Sequence, residues 1–234
     1  MQTATHDKPR IIIKDTASIL IDAAKDAYHS DRKDIPEWIT QIQGMSGQKY
    51  RQFINTVVSN TPNARYLEIG SWQGSTCCSA IVNNEVHALC IDNWSLFNPE
   101  GTIKQSYTNN VTRAIDDRAK VNIIESDFRL VDYSIIGSHN VYLFDGPHEE
   151  YNQYTGIVIA QPALDDEYIL IVDDWNWACV RNGTHTALKF LNSIILYSIE
   201  IRTSLDESQP DVHGDYSDWH NGYYIAVVKK FSGL

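Results

Sequence analysis

Two apolar runs in this 234-residue chain end on acid: Val141–Phe144 is followed by Asp145, and Tyr168–Val172 by Asp173 and Asp174. Short continuous runs of this kind read as buried strands. The segment between them is long enough for a helix and two turns. Strand, helix and strand in that order predict a right-handed crossover between parallel strands. Asp145, Asp173 and Asp174 then emerge at one edge of the sheet, the carboxyl edge at which open α/β sheets bind ligands. Carboxylates crowded there repel one another and are costly to bury unpaired. A divalent cation relieves this, and carboxylate oxygens suit Mg²⁺, Ca²⁺ or Mn²⁺. The competing reading makes Asp173 and Asp174 helix caps or solvated loop acids.

A second group of residues precedes these. Arg65 to Ile69 is predicted as the first core strand, and it runs into Glu68-Ile69-Gly70-Ser71-Trp72-Gln73-Gly74-Ser75-Thr76 before a helix through about Val82. A glycine-bearing turn between strand and helix lets a ligand approach the backbone and offers a helix N-terminus to anionic groups. A tight turn with no ligand is the alternative. The pattern is ExGxxxG rather than GxGxxG, which speaks against a nicotinamide enzyme. Val86 to Ile91 is the second strand, and its terminal Asp92 is placed to accept ribose hydroxyls. Together the glycine turn and this acid indicate a nucleoside-containing cofactor. Val121 to Ile124 is the third strand. The Ser126 and Asp127 that follow it are placed either to bond an adenine edge or to cap a helix.

The remaining elements must carry these groups. Thr16 or Ser18 is expected to cap a helix through about Tyr28. Pro36 opens another, residues 43–47 form a turn, and Gln48 to Asn60 makes a third helix with Tyr50, Phe53, Ile54, Val57 and Val58 on one face. These helices are expected to cover the site or to form an oligomer contact. A helix is expected from about Gly101 to Asp117, and another from about Arg181 to Ile195. Leu196 to Thr203 and Gly222 to Lys229 read as an antiparallel hairpin closing the sheet, joined by a polar loop over 205–221. Residues 1–10 carry no pattern, and Ile11-Ile12-Ile13 is an isolated apolar patch.

Composition narrows the class. Hydrophobic residues make up 43% and charged residues 21%, as in a globular protein with one sizeable core. A formal net charge of −11 argues against a nucleic-acid partner. No apolar span suits a membrane, and the N-terminus lacks a signal-peptide layout. Cys77, Cys78, Cys90 and Cys179 include no CxxC pair, which fits a reducing, cytoplasmic compartment.

Seven strands, ExGxxxG after the first and an acid after the second resemble the class I S-adenosylmethionine-dependent methyltransferases. The separation of Asp145 from the Asp173-Asp174 pair is similar to the metal site of cation-dependent O-methyltransferases. Phe144-Asp145-Gly146-Pro147-His148 with Tyr151, and Val172-Asp173-Asp174 with Val180-Arg181, resemble the macrocin O-methyltransferase group, whose members methylate sugar hydroxyls of macrolides. Pro147 departs from the acidic or small residue usual at its position. The resemblance runs from about Met45 to the C-terminus. It implies an α/β fold: a Rossmann-like seven-stranded, mostly parallel sheet with helices on both faces, an antiparallel last strand and extra N-terminal helices. Residues 1–60 would be a helical extension or cap and 61–234 the methyltransferase domain.

The resemblance also implies site roles. Glu68, Gly70, Ser71 and Gly74, with Asp145 beyond, would line the methionine part of S-adenosylmethionine. Met45 and Ser46 would touch its carboxylate, Asp92 would hold the ribose, and Ser126, Asp127 and Trp94 would frame the adenine. Asp145, Asp173 and Asp174 would bind Mg²⁺ or Mn²⁺. The acceptor would be a hydroxyl of a small molecule, a sugar before a catechol or phenol, and the enzyme a homo-oligomer. Methyl transfer to a weakly acidic hydroxyl needs a base beside the metal-bound acceptor. His148, just after Asp145, is the candidate, since imidazole accepts protons near neutral pH. Its alternatives are a helix cap or a metal ligand. His185, His213 and His220 are lesser candidates, and Trp175, Trp177 and Trp219 can stack on an acceptor ring or simply fill the core. The rival from another class is a binding protein that keeps the cofactor pocket without turnover.

Overall fold

The computed structural model describes residues 15–29, 35–209 and 218–231. The apolar patch at 11–13 and His213 fall outside them. The helices are α1 (Thr16–His29), α2 (Glu37–Thr40), α3 (Gln48–Asn60), α4 (Ser75–Ile81), α5 (Ile103–Ala114), α6 (Glu150–Ile159) and α7 (Ala178–Phe190). The strands are β1 (Ala64–Ile69), β2 (Val86–Asp92), β3 (Ala119–Glu125), β4 (His139–Phe144), β5 (Leu164–Val172), β6 (Ile194–Ile201) and β7 (Tyr223–Lys229). They form one sheet in the order β3-β2-β1-β4-β5-β7-β6. β7 runs antiparallel to both of its neighbours, and the β3-β2-β1-β4-β5 pairs are all parallel.

Both faces of the sheet are covered, which explains why its central strands are apolar throughout rather than alternating. Tyr66, Ala88, Cys90, Val141, Leu143, Ile169, Ile171, Ile225 and Val227 pack toward α1 to α5. Their strand neighbours Leu67, Leu89, Tyr142, Leu170 and Ala226 pack toward α6 and α7. This is the two-residue period of a strand resolved into two cores. α1 and α3 put Leu20, Ala23, Phe53 and Val57 into the first of these cores. In this region the loop between α2 and α3 carries Met45 toward the carboxyl edge of the sheet, and α3 stacks Tyr50 on Tyr223 beside it. No helix among the described residues is long and apolar enough to cross a membrane.

Element ends shift from the sequence-based expectation. Asp15, not Thr16 or Ser18, caps α1, its Oδ1 accepting from the Ser18 N–H at 2.7 Å. α5 is shorter at both ends than expected, and α7 starts and stops earlier. The final pair is an antiparallel hairpin, but β7 slots between β5 and β6, leaving β6 at the sheet edge.

The strand order reverses between β1 and β4. The connections from β1 proceed outward through β2 and β3, and those from β4 proceed the other way. This switch point opens a crevice at the carboxyl ends of the two strands. Gly70, just after β1, has φ +87° there, and a Cβ would overlap the Asp145 carbonyl. Only glycine lets the two strand ends approach this closely. The Asp145 N–H donates to the Ile69 carbonyl at 2.9 Å and locks them together.

Candidate active site

A cleft of about 770 Å³ lies over this switch point. Its floor is Ile69, Gly70, Ile91 and Asp92. One wall is Ser126 to Arg129, and the other carries Asp145 to Glu150 with Trp177 and Cys179. Met45, Trp72, Leu96 and Phe97 form the rim. The volume suits a drug-sized ligand.

Asp145, His148 and Asp174 each place a ligating atom within 4.8 Å of the other two. Asp145 is delivered by the end of β4 and His148 by the turn into α6. Asp174 follows β5 in a left-handed backbone conformation, φ +58°. His148 Nε2 stands 3.0 Å from Asp174 Oδ2. The other oxygen, Oδ1, accepts from the Asn221 side-chain amide at 2.6 Å. Asp173 stands behind this trio. Its Oδ1 accepts the Asp174 N–H at 2.7 Å, and its carboxyl faces Asp145 and the Tyr223 hydroxyl. Of the expected trio of aspartates, Asp145 and Asp174 come together with His148, and Asp173 lies against Asp145 beside them.

Electrostatics at this edge are unbalanced. Burial, then the charges of Asp173, Asp174 and Glu68, pushes the Asp145 carboxyl well above the usual carboxylate range. Burial and then the Asp174 charge do the same to Asp173. Burial acts on Asp174 as well, but the His148 hydrogen bond and charge, with Asn221 and His220, outweigh it and hold that group low. Glu68 lies beneath the glycine turn, fully buried, and burial pushes it up to about 7. Tyr66 O–H donates to its Oε2, while the Ser71 hydroxyl faces the same carboxyl without reaching hydrogen-bond geometry. Among the described residues, no Lys or Arg forms an ion pair with Asp145, Asp173 or Asp174. Asp145 and Asp173, buried with no Lys or Arg beside them, are what a cation site requires, so this donor set fits a divalent ion. The carboxylate oxygens of Asp145 and Asp174 suit Mg²⁺ or Mn²⁺.

The residues expected at a nucleoside are arranged differently from expectation in part. Asp92 accepts the Ser71 and Trp72 N–H groups on Oδ2, both at 2.8 Å, and the Trp94 N–H on Oδ1 at 2.7 Å. It braces the glycine turn while lining the cleft. Trp94 is buried away from the cleft, its indole N–H donating to the Trp72 carbonyl at 2.9 Å and its ring packed on Tyr107. Gly74 is the αL cap before α4 and packs on Tyr107. Asp127 caps the 3-10 turn Phe128–Leu130 and pairs with Arg129, so the capping alternative holds for it while Ser126 and Asp127 still line the cleft. Met45 lines the rim, whereas Ser46 is buried beside Ser75 and Arg51. Trp72, Trp94 and Phe97 all hold φ between +42° and +50°, a cost that bulky residues meet only where the fold imposes it.

Trp175 stacks on Tyr224 in the core, and the exposed His185 meets both rings edge-on outside the cleft. Trp219 packs on Phe53 and Tyr223. Trp177 meets the His148 ring edge-on, with centroids 5.2 Å apart. Sequence reasoning missed Asn176, Asn221 and Arg51. Single amides and a lone arginine carry no spacing signal, and Asn221-Gly222 reads from sequence only as a turn.

No family model matches the chain, and no curated protein matches it by sequence. Solved structures share its fold. The O-methyltransferase TomG from Streptomyces achromogenes, involved in tomaymycin synthesis and solved in complex with SAM, is 12% identical with a TM-score of 0.53, covering 94% of this chain and 92% of TomG. Cofactor-bound Rv0187 from MTB is 12% identical with a TM-score of 0.53, covering 92% of this chain and 90% of that one. TrmN from Thermus thermophilus is 11% identical with a TM-score of 0.55 over 82% of this chain, which spans only about half of TrmN, 52%. At such identities the likeness establishes the fold: the Rossmann-like methyltransferase fold.

Proposed function

We propose that this chain is an S-adenosylmethionine-dependent O-methyltransferase that uses Mg²⁺ or Mn²⁺ and methylates a hydroxyl of a small molecule, a sugar or glycosylated natural product. The observation that carries the reading is the convergence of Asp145, His148 and Asp174 beside a glycine turn at the switch point. The cleft over Gly70 and Asp92 has room for the cofactor, whose sulfonium supplies the methyl electrophile when bound. Asp145 and Asp174 would hold the cation, which lowers the pKa of a coordinated hydroxyl. His148 would take the acceptor proton, and Asp174 Oδ2, 3.0 Å from its Nε2, would stabilise the imidazolium that results. Trp177 packs against that ring, fixes its plane and forms an apolar wall on the acceptor side. A phenolic acceptor is the second reading, favoured by the aromatic residues Trp72, Phe97 and Trp177 around the cleft.

The test is calorimetric titration of S-adenosylhomocysteine into the full chain, first with EDTA and then with Mg²⁺. Micromolar binding is expected in both conditions, with separate Mg²⁺-binding heat that vanishes in Asp174→Ala. A chain that binds no S-adenosylhomocysteine in either condition is not a methyltransferase. A positive result leads to a methyl-transfer screen in which glycosides are expected to turn over before catechols.

A further inference from the structure

The turn from Asp174 to Trp177 is gripped from one side by the connection between β6 and β7. Asn221 is fully buried, and its amide nitrogen donates to Asp174 Oδ1 at 2.6 Å. Its backbone carbonyl accepts the Asn176 N–H at 2.9 Å, and the next carbonyl, of Gly222, accepts the Trp175 N–H at 3.2 Å. Asn176, equally buried, reaches the other way. Its amide donates to Thr203 Oγ1 at 2.8 Å, and its Oδ1 accepts the Thr203 N–H at 2.9 Å. Thr203 Oγ1 then donates to the His220 carbonyl at 2.7 Å and closes the ring. Arg181 caps the Trp175 and Asn176 carbonyls and stands 3.7 Å from Glu207 on the same connection.

The consequence for Asp174 is a division of labour between its two oxygens. Oδ1 is committed to Asn221, and Oδ2 alone faces His148 and the trio. We infer that Asn221 is a positioning residue: it fixes the rotation of the Asp174 carboxylate so that a single oxygen is presented to the cation, and through Asn176 and Thr203 it makes cation affinity depend on the seating of the β6–β7 connection. Hydrogen-bond partners of metal ligands commonly govern affinity by roughly 10- to 100-fold. This inference rests on the cation reading above.

Mn²⁺ is the probe, its free concentration followed by paramagnetic resonance during titration of the full chain. Asn221→Leu keeps much of the side-chain volume and removes the donor. It is expected to weaken Mn²⁺ binding by at least about tenfold while S-adenosylhomocysteine affinity in EDTA stays within about twofold. A packing role alone would lower the melting temperature and leave Mn²⁺ affinity unchanged, so a folded Asn221→Leu chain with wild-type Mn²⁺ affinity overturns the inference. Should Asn221→Leu fail to fold, Thr203→Val decides: it opens the outer ring, and about a threefold loss of Mn²⁺ affinity is expected, against none if the connection is not coupled to the site. A wild-type chain that binds no Mn²⁺ overturns the cation reading and this inference together, whereas binding that the variants leave unchanged overturns this inference only.

Discussion

At the scale of single residues, the site is a problem of too much negative charge in too little water. Burial raises Asp145 and Asp173, while His148 and Asn221 keep Asp174 low. Adjacent carboxyls are thereby driven apart in proton affinity by their surroundings. His148 is the group whose removal separates chemistry from binding. His148→Ala is expected to lower kcat by about 10²- to 10⁴-fold with S-adenosylhomocysteine affinity unchanged. Steady-state rates beside calorimetry check this. A His148→Ala enzyme of near-wild-type rate would remove it from the proton path. The pair Asp145 and His148 was legible from sequence because both follow one strand end. Asn221 was not, because its contact with Asp174 spans 47 positions and depends on where β7 inserts.

At the scale of elements, the loop between α2 and α3 illustrates how a site wall is held without regular structure. Arg51 of α3 is fully buried and donates to the carbonyls of Ile39, Thr40, Ile42 and Ser46 at 2.8 to 3.1 Å. One guanidinium thus ties the C-terminal end of α2 to the loop after it through four carbonyls, of which Ile39's also accepts the Ile42 N–H at 3.1 Å, as its forked donors allow. Met45 reaches the cleft rim from this loop. Arg51→Met leaves those carbonyls without their donor and is expected to destabilise the chain by at least ~3 kcal/mol, measured by urea unfolding. Hydrogen exchange should show the added opening concentrated in residues 39–47. An undiminished midpoint would mean the loop is held by other contacts. Sequence periodicity recovered the strands of the sheet and the α3 stripe, since buried faces leave a period of 2 or 3.6. It misplaced the ends of α5 and α7, where tertiary packing rather than pattern sets the limit. The family resemblance puts Trp94 at the adenine, whereas its indole turns toward the Trp72 carbonyl, which nothing local in the sequence records.

At the scale of the molecule, acid sensitivity is expected from the buried start of β4. His139 sits at the start of β4, and burial lowers its pKa against the opposing bond of Nδ1 to the Ala163 carbonyl at 3.0 Å. The unfolded chain then takes up a proton that the folded chain resists, so stability is complete above about pH 6.5 and falls as pH drops below it. His139→Gln is expected to flatten that decline when melting temperatures are compared at about pH 7.5 and about pH 5.5. Parallel losses in both chains would assign the decline to other groups. The place of β7 between β5 and β6 has a further consequence, in the order of synthesis. β5 is complete about fifty residues before its partner leaves the ribosome, and at 5–20 residues per second it waits about three to ten seconds with one edge open. During that interval β6 has no strand to pair with, and Asp174 has no Asn221. The sheet edge that carries Asp174 is therefore finished late in synthesis, and a nascent chain stalled before Asn221 lacks the donor that Asp174 Oδ1 takes in the finished fold.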